Sequence, residues 1–300
     1  MIVNSLDRVL IAECPQAHAR LLLANVTDTA RTLERNHLCG PIAGLVQAEL
    51  VGSVALMGAD RLEAPGQRLS LRVRLPEGAL GGATLECSRD AAGLAIRGYT
   101  RQKVLPGIDD GDDADETLFD RAMGRAAHCA VVRSDAKGAV DESHYDLDFD
   151  DRLTVTDILE GCFVSALGRN VLAQASAASK IGYVECSHAL LCELLPEADD
   201  GAYDRVDERF DGGAVQDALD AGEGIEAFAR LLGLGPATVV ASLPVRFACG
   251  CSGEKVMAML RTLPRADLLA MVAERRPTDI YCHMCGKCYT VTPEQLQALL

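Results

Sequence analysis

Between residues 69 and 75, Leu69, Leu71, Val73 and Leu75 alternate with Ser70, Arg72 and Arg74. A period of two puts one face of a strand in a core and the other in water. ATLECSR (83–89) and GLAIRGYT (93–100) are separated by the turn signals Asp90 and Gly93 and predict neighbouring antiparallel strands. Upstream, Leu21–Leu23 predict a strand, followed by a threonine-capped helix that begins near Thr29. Pro41 then opens a mostly apolar segment to Met57 with Gly44 and Gly52 inside it. That pattern predicts a buried, closely packed helix, and Gln47 and Glu49 argue against a membrane role. No stretch reaches the ~18 uninterrupted apolar residues of a membrane span.

The second half is patterned differently. DDGDDADE (109–116) predicts a solvated acidic loop. In DLDFDDRLTVTD, Asp146, Asp148, Asp150 and Asp157 occupy positions 1, 3, 5 and 12 of a calcium-loop pattern. Asp151 stands where the sharp turn of such a loop needs glycine, so the preferred reading is an acidic loop entering a helix. Residues 198–244 show little β pattern, a break at Gly212–Gly213, and one short amphipathic helix with Ile225, Phe228, Ala229 and Leu232 at helical spacing. This stretch is acidic and weakly hydrophobic, as expected of a marginally stable connector. Beyond it, Val256, Met259, Leu260 and Leu263 form one apolar stripe, Leu268, Leu269 and Val272 another, and Leu296, Leu299 and Leu300 a last one. The expected class is α+β: an N-terminal domain of antiparallel sheet and helices over residues 1–197, a helical linker over 198–244, and a small C-terminal metal-binding domain over 245–300.

Charge and composition narrow the function. The chain has 300 residues, formal net charge −15 and 24% charged residues. Phosphate binding is driven by Lys and Arg, so nucleic acid is not expected as the main partner. Residues 245–300 carry net +2, which leaves −17 on residues 1–244. QAHA (16–19) mimics a small-x-small cleavage site, but the run VLIA is too short for a signal peptide and Asp7 precedes Arg8. The expected location is the cytoplasm, with no membrane partner. Twelve cysteines in a reducing compartment are free thiols, metal ligands or redox switches. No nucleotide-phosphate motif is present and no catalytic residues are called for, so the chain is not expected to be an enzyme.

The cysteine spacing carries the chemistry. YCHMCGKCYTVTP (281–293) contains Cys282, Cys285 and Cys288 as C-x2-C-x2-C, with Thr292 where a ferredoxin motif has its next cysteine before the proline. Its partner is RFACGCSGEKV, in which Cys249-x-Cys251 lies thirty residues before Cys282. Two short cysteine pairs supply the four soft ligands of tetrahedral zinc, making Cys249, Cys251, Cys282 and Cys285 the candidate ligands and Zn2+ the candidate cofactor. Cys288 is a candidate extra thiol. Four thiolates around Zn2+ leave net charge −2 and sulfurs open to peroxide or hypochlorous acid. Neighbouring cysteines can pair once oxidised, and a strained C-x-C bridge is easily reduced again. Spacing alone leaves three readings open: a permanent structural zinc site or zinc-ribbon interaction module, an iron–sulfur electron carrier using the C-x2-C-x2-C run, and a redox switch. Cys14, Cys39, Cys87, Cys129, Cys162, Cys186 and Cys192 sit among apolar neighbours and read as small core hydrophobes. His283 reads as an exposed knuckle residue, and His37, His128 and His188 have no partner that spacing identifies.

C-x-C-S, an amphipathic helix, then C-x2-C-G-K and Tyr289 resemble the zinc end of the 33-kDa chaperonin family, the redox-regulated heat-shock holdases. RNHLCGPIAGLVQAELVGSVAL, RLSLRVRL, LAIRGYTR and LLCELLPEAD follow in the family's order, so the resemblance covers nearly the whole chain. LPEGALGG and AQASAAS depart from the family's Gly-Asp-Gly-Pro-like turn and Ser-Glu-Gln-x-Pro-Ser stretch, and Cys288 is an additional thiol. The resemblance implies a chaperone that is inactive while reduced and zinc-bound. Oxidation would form disulfides Cys249–Cys251 and Cys282–Cys285, release zinc and unfold the linker. The protein would then dimerise and hold unfolding client proteins without ATP.

Overall fold

The computed structural model describes residues 6–108, 116–180 and 182–300. The acidic run expected at 109–116 lies outside the described residues except for Glu116. The alternation seen first in the sequence is the organising feature of the structure. In order, the strands are β1 (Arg8–Cys14), β2 (Ala19–Asn25), β3 (Arg68–Arg74), β4 (Gly82–Asp90) and β5 (Gly93–Thr100). They continue with β6 (Ala126–Ser134), β7 (Val140–Asp148), β8 (Val171–Lys180), β9 (Tyr183–Leu194) and β10 (Thr238–Phe247). Among the described residues these form one sheet in the order β7-β6-β3-β4-β5-β10-β1-β2-β9-β8. Every pairing is antiparallel except β10 with β5. The first part of β10 pairs antiparallel with β1, from Thr238 opposite Glu13 to Pro244 opposite Arg8. Its last three residues, Val245–Phe247, run parallel to Leu94–Ile96. One strand therefore joins a five-stranded half to a four-stranded half.

Helices cover both faces of the four-stranded half. Leu22 and Ala24 of β2 join the core formed with α1 (Thr27–His37), α2 (Pro41–Arg61) and α4 (Val155–Leu167), whereas Leu21 and Leu23 point to the other side. A short helix α3 (Glu116–Met123) also borders the first core. The buried helix expected after Pro41 is α2, long and apolar enough to cross a membrane but enclosed by protein. It lies against the sheet so closely that a Cβ on Gly58 would come within 2.4 Å of the Cys87 sulfur. Its last turn is anchored by a buried ion network. Asp60 pairs with Arg20 at 2.7 Å and Arg169 at 2.6 Å, and Arg169 also grips Glu193 through two nitrogens.

Two local expectations resolve differently. No threonine side chain caps α1. Asp7, from the start of the chain, accepts hydrogen bonds from the Asp28 and Thr29 amides at 3.0 and 2.7 Å. The calcium pattern is taken apart: Asp146 and Asp148 lie on β7, and Asp157 forms a capping box with Thr154 at the start of α4.

The stretch after β9 folds as α5 (Ala202–Asp211), α6 (Ala214–Asp220) and α7 (Ile225–Leu231), but its last residues, 238–244, are not part of a helical linker as expected: they form the first part of β10, because pairing with β1 fixes them as strand. These helices cover the sheet's second apolar face. Val206, Val215, Leu219, Ile225 and Phe228 pack there against Leu21, Leu190 and Leu194. Although acidic on the outside, the stretch carries enough apolar residues to close a second core against β1, β2, β8 and β9. After β10 come α8 (Gly253–Leu260), α9 (Arg265–Ala273), the hairpin β11 (Thr278–Tyr281) and β12 (Cys288–Val291), and α10 (Pro293–Gln297). Leu260, Leu268, Val291 and Leu296 form their small core, with Val256, Leu263 and Val272 packed around it. A core this small is the kind that a metal staple supports.

Candidate metal centre

The cysteine site forms where the central strand leaves the sheet. After Phe247 the Ala248 amide still bonds the Ile96 carbonyl, and the chain then turns outward through Cys249, Gly250 and Cys251. Ser252 caps α8 by accepting from the Lys255 amide, and the Lys255 ammonium donates to the Gly250 carbonyl. The second pair sits in a tight knuckle between β11 and β12. The Cys282 carbonyl accepts from the amides of Cys285 and Gly286 at 3.2 and 2.8 Å, and the Cys282 amide donates to the Lys287 carbonyl.

These two turns bring the Sγ atoms of Cys249, Cys251, Cys282 and Cys285 within 4.8 Å of one another. Cys249 and Cys282 are 3.9 Å apart, and Cys251 and Cys285 are 3.4 Å apart. Four thiolates around tetrahedral zinc, with zinc–sulfur bonds near 2.3 Å, have sulfurs about 3.8 Å apart. The donor set and its spacing thus suit a soft, tetrahedral metal ion. Cys285 is buried and the other three are half-buried.

The surroundings favour thiolate at Cys251. Burial raises the Cys251 thiol, but hydrogen bonds from Tyr289 and the three other cysteines outweigh it and lower its pKa to about 7. The Tyr289 hydroxyl lies 3.0 Å from that sulfur. Burial pushes Cys282 and Cys285 upward, and a bound metal ion would reverse that preference. From the sheet, Arg97 donates to the Cys249 sulfur at 3.6 Å while its other nitrogens bind Glu86. The knuckle rests on β5 and on the end of α1. The Gly98 amide donates to the Met284 carbonyl at 3.0 Å, and the rings of Tyr99 and His283 are 5.9 Å apart. A Cβ on Gly286 would fall 2.0 Å from the Asn36 carbonyl. His37 is buried there, and burial holds its pKa near 4, so it is neutral.

Cys288 is outside the cluster. It is exposed on β12 opposite Tyr281, whereas Tyr289, the next residue, reaches Cys251. The ligand set an iron–sulfur centre would draw from Cys282, Cys285 and Cys288 is therefore not assembled among the described residues. His283 turns to Tyr99 and stays out of the cluster too. Of the remaining cysteines, Cys14, Cys87, Cys129, Cys162 and Cys192 are buried, and Cys39 and Cys186 are half-buried. Burial pushes Cys87, Cys162 and Cys192 up to about 12, which keeps them as unreactive thiols. His128 bonds Asp146 at 2.8 Å, and His188 is buried. Sequence reasoning did not find Arg97 or the Asn36–Gly286 contact, and Tyr289 was flagged only as an aromatic in the motif.

A sequence model of the Hsp33 protein family matches residues 7–292. The 33 kDa chaperonin of Lachnoclostridium phytofermentans is 22% identical, with 98% of each chain covered. That of Thermus thermophilus is 25% identical over 98% of this chain and 87% of its own. In a comparison of structures, the 33 kDa chaperonin of Thermotoga maritima superposes with a TM-score of 0.82, covering 98% of both chains at 14% identity.

Proposed function

Because the chain belongs to the Hsp33 family of chaperones, we propose that it is a redox-regulated holdase whose switch is a zinc ion held by Cys249, Cys251, Cys282 and Cys285. The observation that carries this reading is the gathering of those four sulfurs within 4.8 Å, where the cysteine knuckle rests on β5. Bound zinc would keep the four sulfurs as thiolates and staple the C-terminal core, at roughly 10–16 kcal/mol of apparent binding energy.

Around the thiolates, Arg97 and Tyr289 supply hydrogen bonds to Cys249 and Cys251. Oxidation by a peroxide would couple Cys249 to Cys251 and Cys282 to Cys285. Each disulfide gives two electrons to one peroxide; in all, four protons are consumed, four waters form and the metal ion is freed. Without its staple the C-terminal core loses its main support, and the contacts of the knuckle with β5 and α1 go with it. Release of α5, α6 and α7 would then uncover the apolar face that includes Leu21, Leu190 and Leu194, a surface suited to unfolding client polypeptides. In this reading the oxidised chain dimerises, holds clients without ATP and works in the cytoplasm. The division into residues 1–197, 198–244 and 245–300 is part of the same proposal.

A permanent structural zinc site is the second reading, because most four-cysteine zinc sites never switch. One experiment separates the two. Metal content is measured on anaerobically purified protein before and after brief peroxide treatment at elevated temperature, together with suppression of aggregation of a thermally unfolding client. The switch predicts about one zinc before and little after, with protection gained only after oxidation. Zinc that stays bound, or oxidised protein that protects no better than reduced, would sink it. Peptide mapping of the oxidised chain should find the two neighbour disulfides; the cross-pairs Cys249–Cys282 and Cys251–Cys285 would contradict the assigned pairing.

A further inference from the structure

The outer face of β3–β7, turned away from α1, α2 and α4, is open. In register across five strands, one row runs His144, Ala130, Arg72, Thr84, Tyr99. The next runs Asp146, His128, Arg74 and Gly82, and the Arg101 amide closes it by donating to the Gly82 carbonyl at 2.7 Å. Arg72 and Arg74 stand on the middle strand with the short residues Ala130, Thr84 and Gly82 beside them, which leaves a cavity of about 550 Å³.

Its charge is lopsided. The two carboxylates stand on β7, each beside a histidine: Asp146 at 2.8 Å from His128 and Glu142 at 3.3 Å from His144. Among the described residues, the side chains of Arg72, Arg74 and Arg101 form no ion pair and no hydrogen bond. Three uncompensated guanidinium groups facing one hollow are unusual in a chain of net charge −15. Elsewhere that surface repels acidic groups; here it attracts them.

We propose that this hollow docks carboxylate-rich, extended segments of client polypeptides. Arg72 and Arg74 share one strand face two residues apart, about 6.8 Å, the same repeat that separates alternate side chains of an extended peptide. A segment with acidic residues at every second position would meet both guanidinium forks at once, and each fork can take a carboxylate through two N–H donors. Arg101 adds a third charge from the side of β5. The proposal rests on the chaperone reading for the presence of unfolded clients, but not on the redox switch.

The test is fluorescence anisotropy of a labelled peptide of alternating Glu and Ser, with its Gln–Ser counterpart, on the reduced full-length protein at low salt. The acidic peptide should bind, its affinity should fall as salt is added, and the neutral peptide should bind much more weakly. The exposed double substitution Arg72→Glu/Arg74→Glu should weaken binding by roughly tenfold or more. Arg230→Glu, a charge reversal on α7, should not. Melting curves of the variants check that the sheet is intact. Equal binding of both peptides, no binding, or equal loss in the control would overturn the proposal. Inorganic tripolyphosphate binding more tightly than the peptide, and at the same arginines, would overturn the polypeptide assignment in favour of a phosphate ligand. None of these readouts involves client aggregation, so failure here and failure of the holdase reading are distinct results.

Discussion

Gly286 sits where a side chain has no room: its φ is +72°, and a Cβ would meet the Asn36 carbonyl at 2.0 Å. Alanine there costs about 1–2 kcal/mol for the left-handed backbone alone and also forces the knuckle away from α1. We expect Gly286→Ala to leave the four-cysteine cluster able to take up metal but to lose hydrogen-exchange protection at the Gly98 amide, the donor to Met284. Unchanged protection would mean that the docking does not depend on the Asn36 contact. The cysteines themselves were legible because metal ligands must lie close together, and short spacings achieve that locally. Arg97 was not legible. It stands 152 residues from Cys249 in the chain, reads as an ordinary outward strand position, and reaches the sulfur only because β10 delivers Cys249 beside β5.

Among the elements, α5 and α6 meet α4 and β8 across an acidic cavity of about 580 Å³. Glu160 of α4 accepts from the Ala173 amide at 2.6 Å; burial, and to a lesser degree the charges of Asp157 and Asp207, push its pKa up to about 7. Glu49 of α2 lines the same cavity and is pushed up to about 8, chiefly by burial. Asp151 and Asp211 add negative charge at the rim, and Arg152 adds the positive. Both glutamates have folded values above the unfolded value of 4.5, so the folded chain binds more protons between pH 4.5 and 8. The stability they contribute is full below 4.5 and is lost as pH rises through 7 and 8. Thermal melting of the reduced protein should therefore fall as pH rises across that window. Glu160→Gln should flatten part of the slope, and an unchanged slope would remove Glu160 from the account. β2 to β5 and α2 were readable from period and apolar run because burial on one or both faces imposes those patterns, whereas β1 and β6 to β10 carry no alternation clear enough to predict them. The cap of α1 was not readable, since Asp7 reaches it from another element, and neither was the apolar face under α5–α7, which alternates with the first core along β2 and β9.

For the whole molecule, β10 is the strand that ties the first cysteine turn to both halves of the sheet. Its pairing with β5 spans three residues, whereas its pairing with β1 runs from Thr238 to Pro244. Stripping metal from the reduced protein with a chelator should expose the amides of Gly98 and residues 245–248 before those of 238–244, with α5–α7 last. Exchange that appears first in α5–α7 would mean that these helices open without any signal from the cysteine end. The sequence could not show this arrangement, because a strand's neighbours are chosen by segments far away in the chain. β10 is also a keystone: among the described residues it alone spans the gap between β1 and β5. Withdrawn, it would not shorten the sheet by one strand but split it, leaving two raw borders of unpaired N–H and C=O groups opposite each other. The gap between them would be one extended chain wide, a mould in the shape of an unfolded polypeptide.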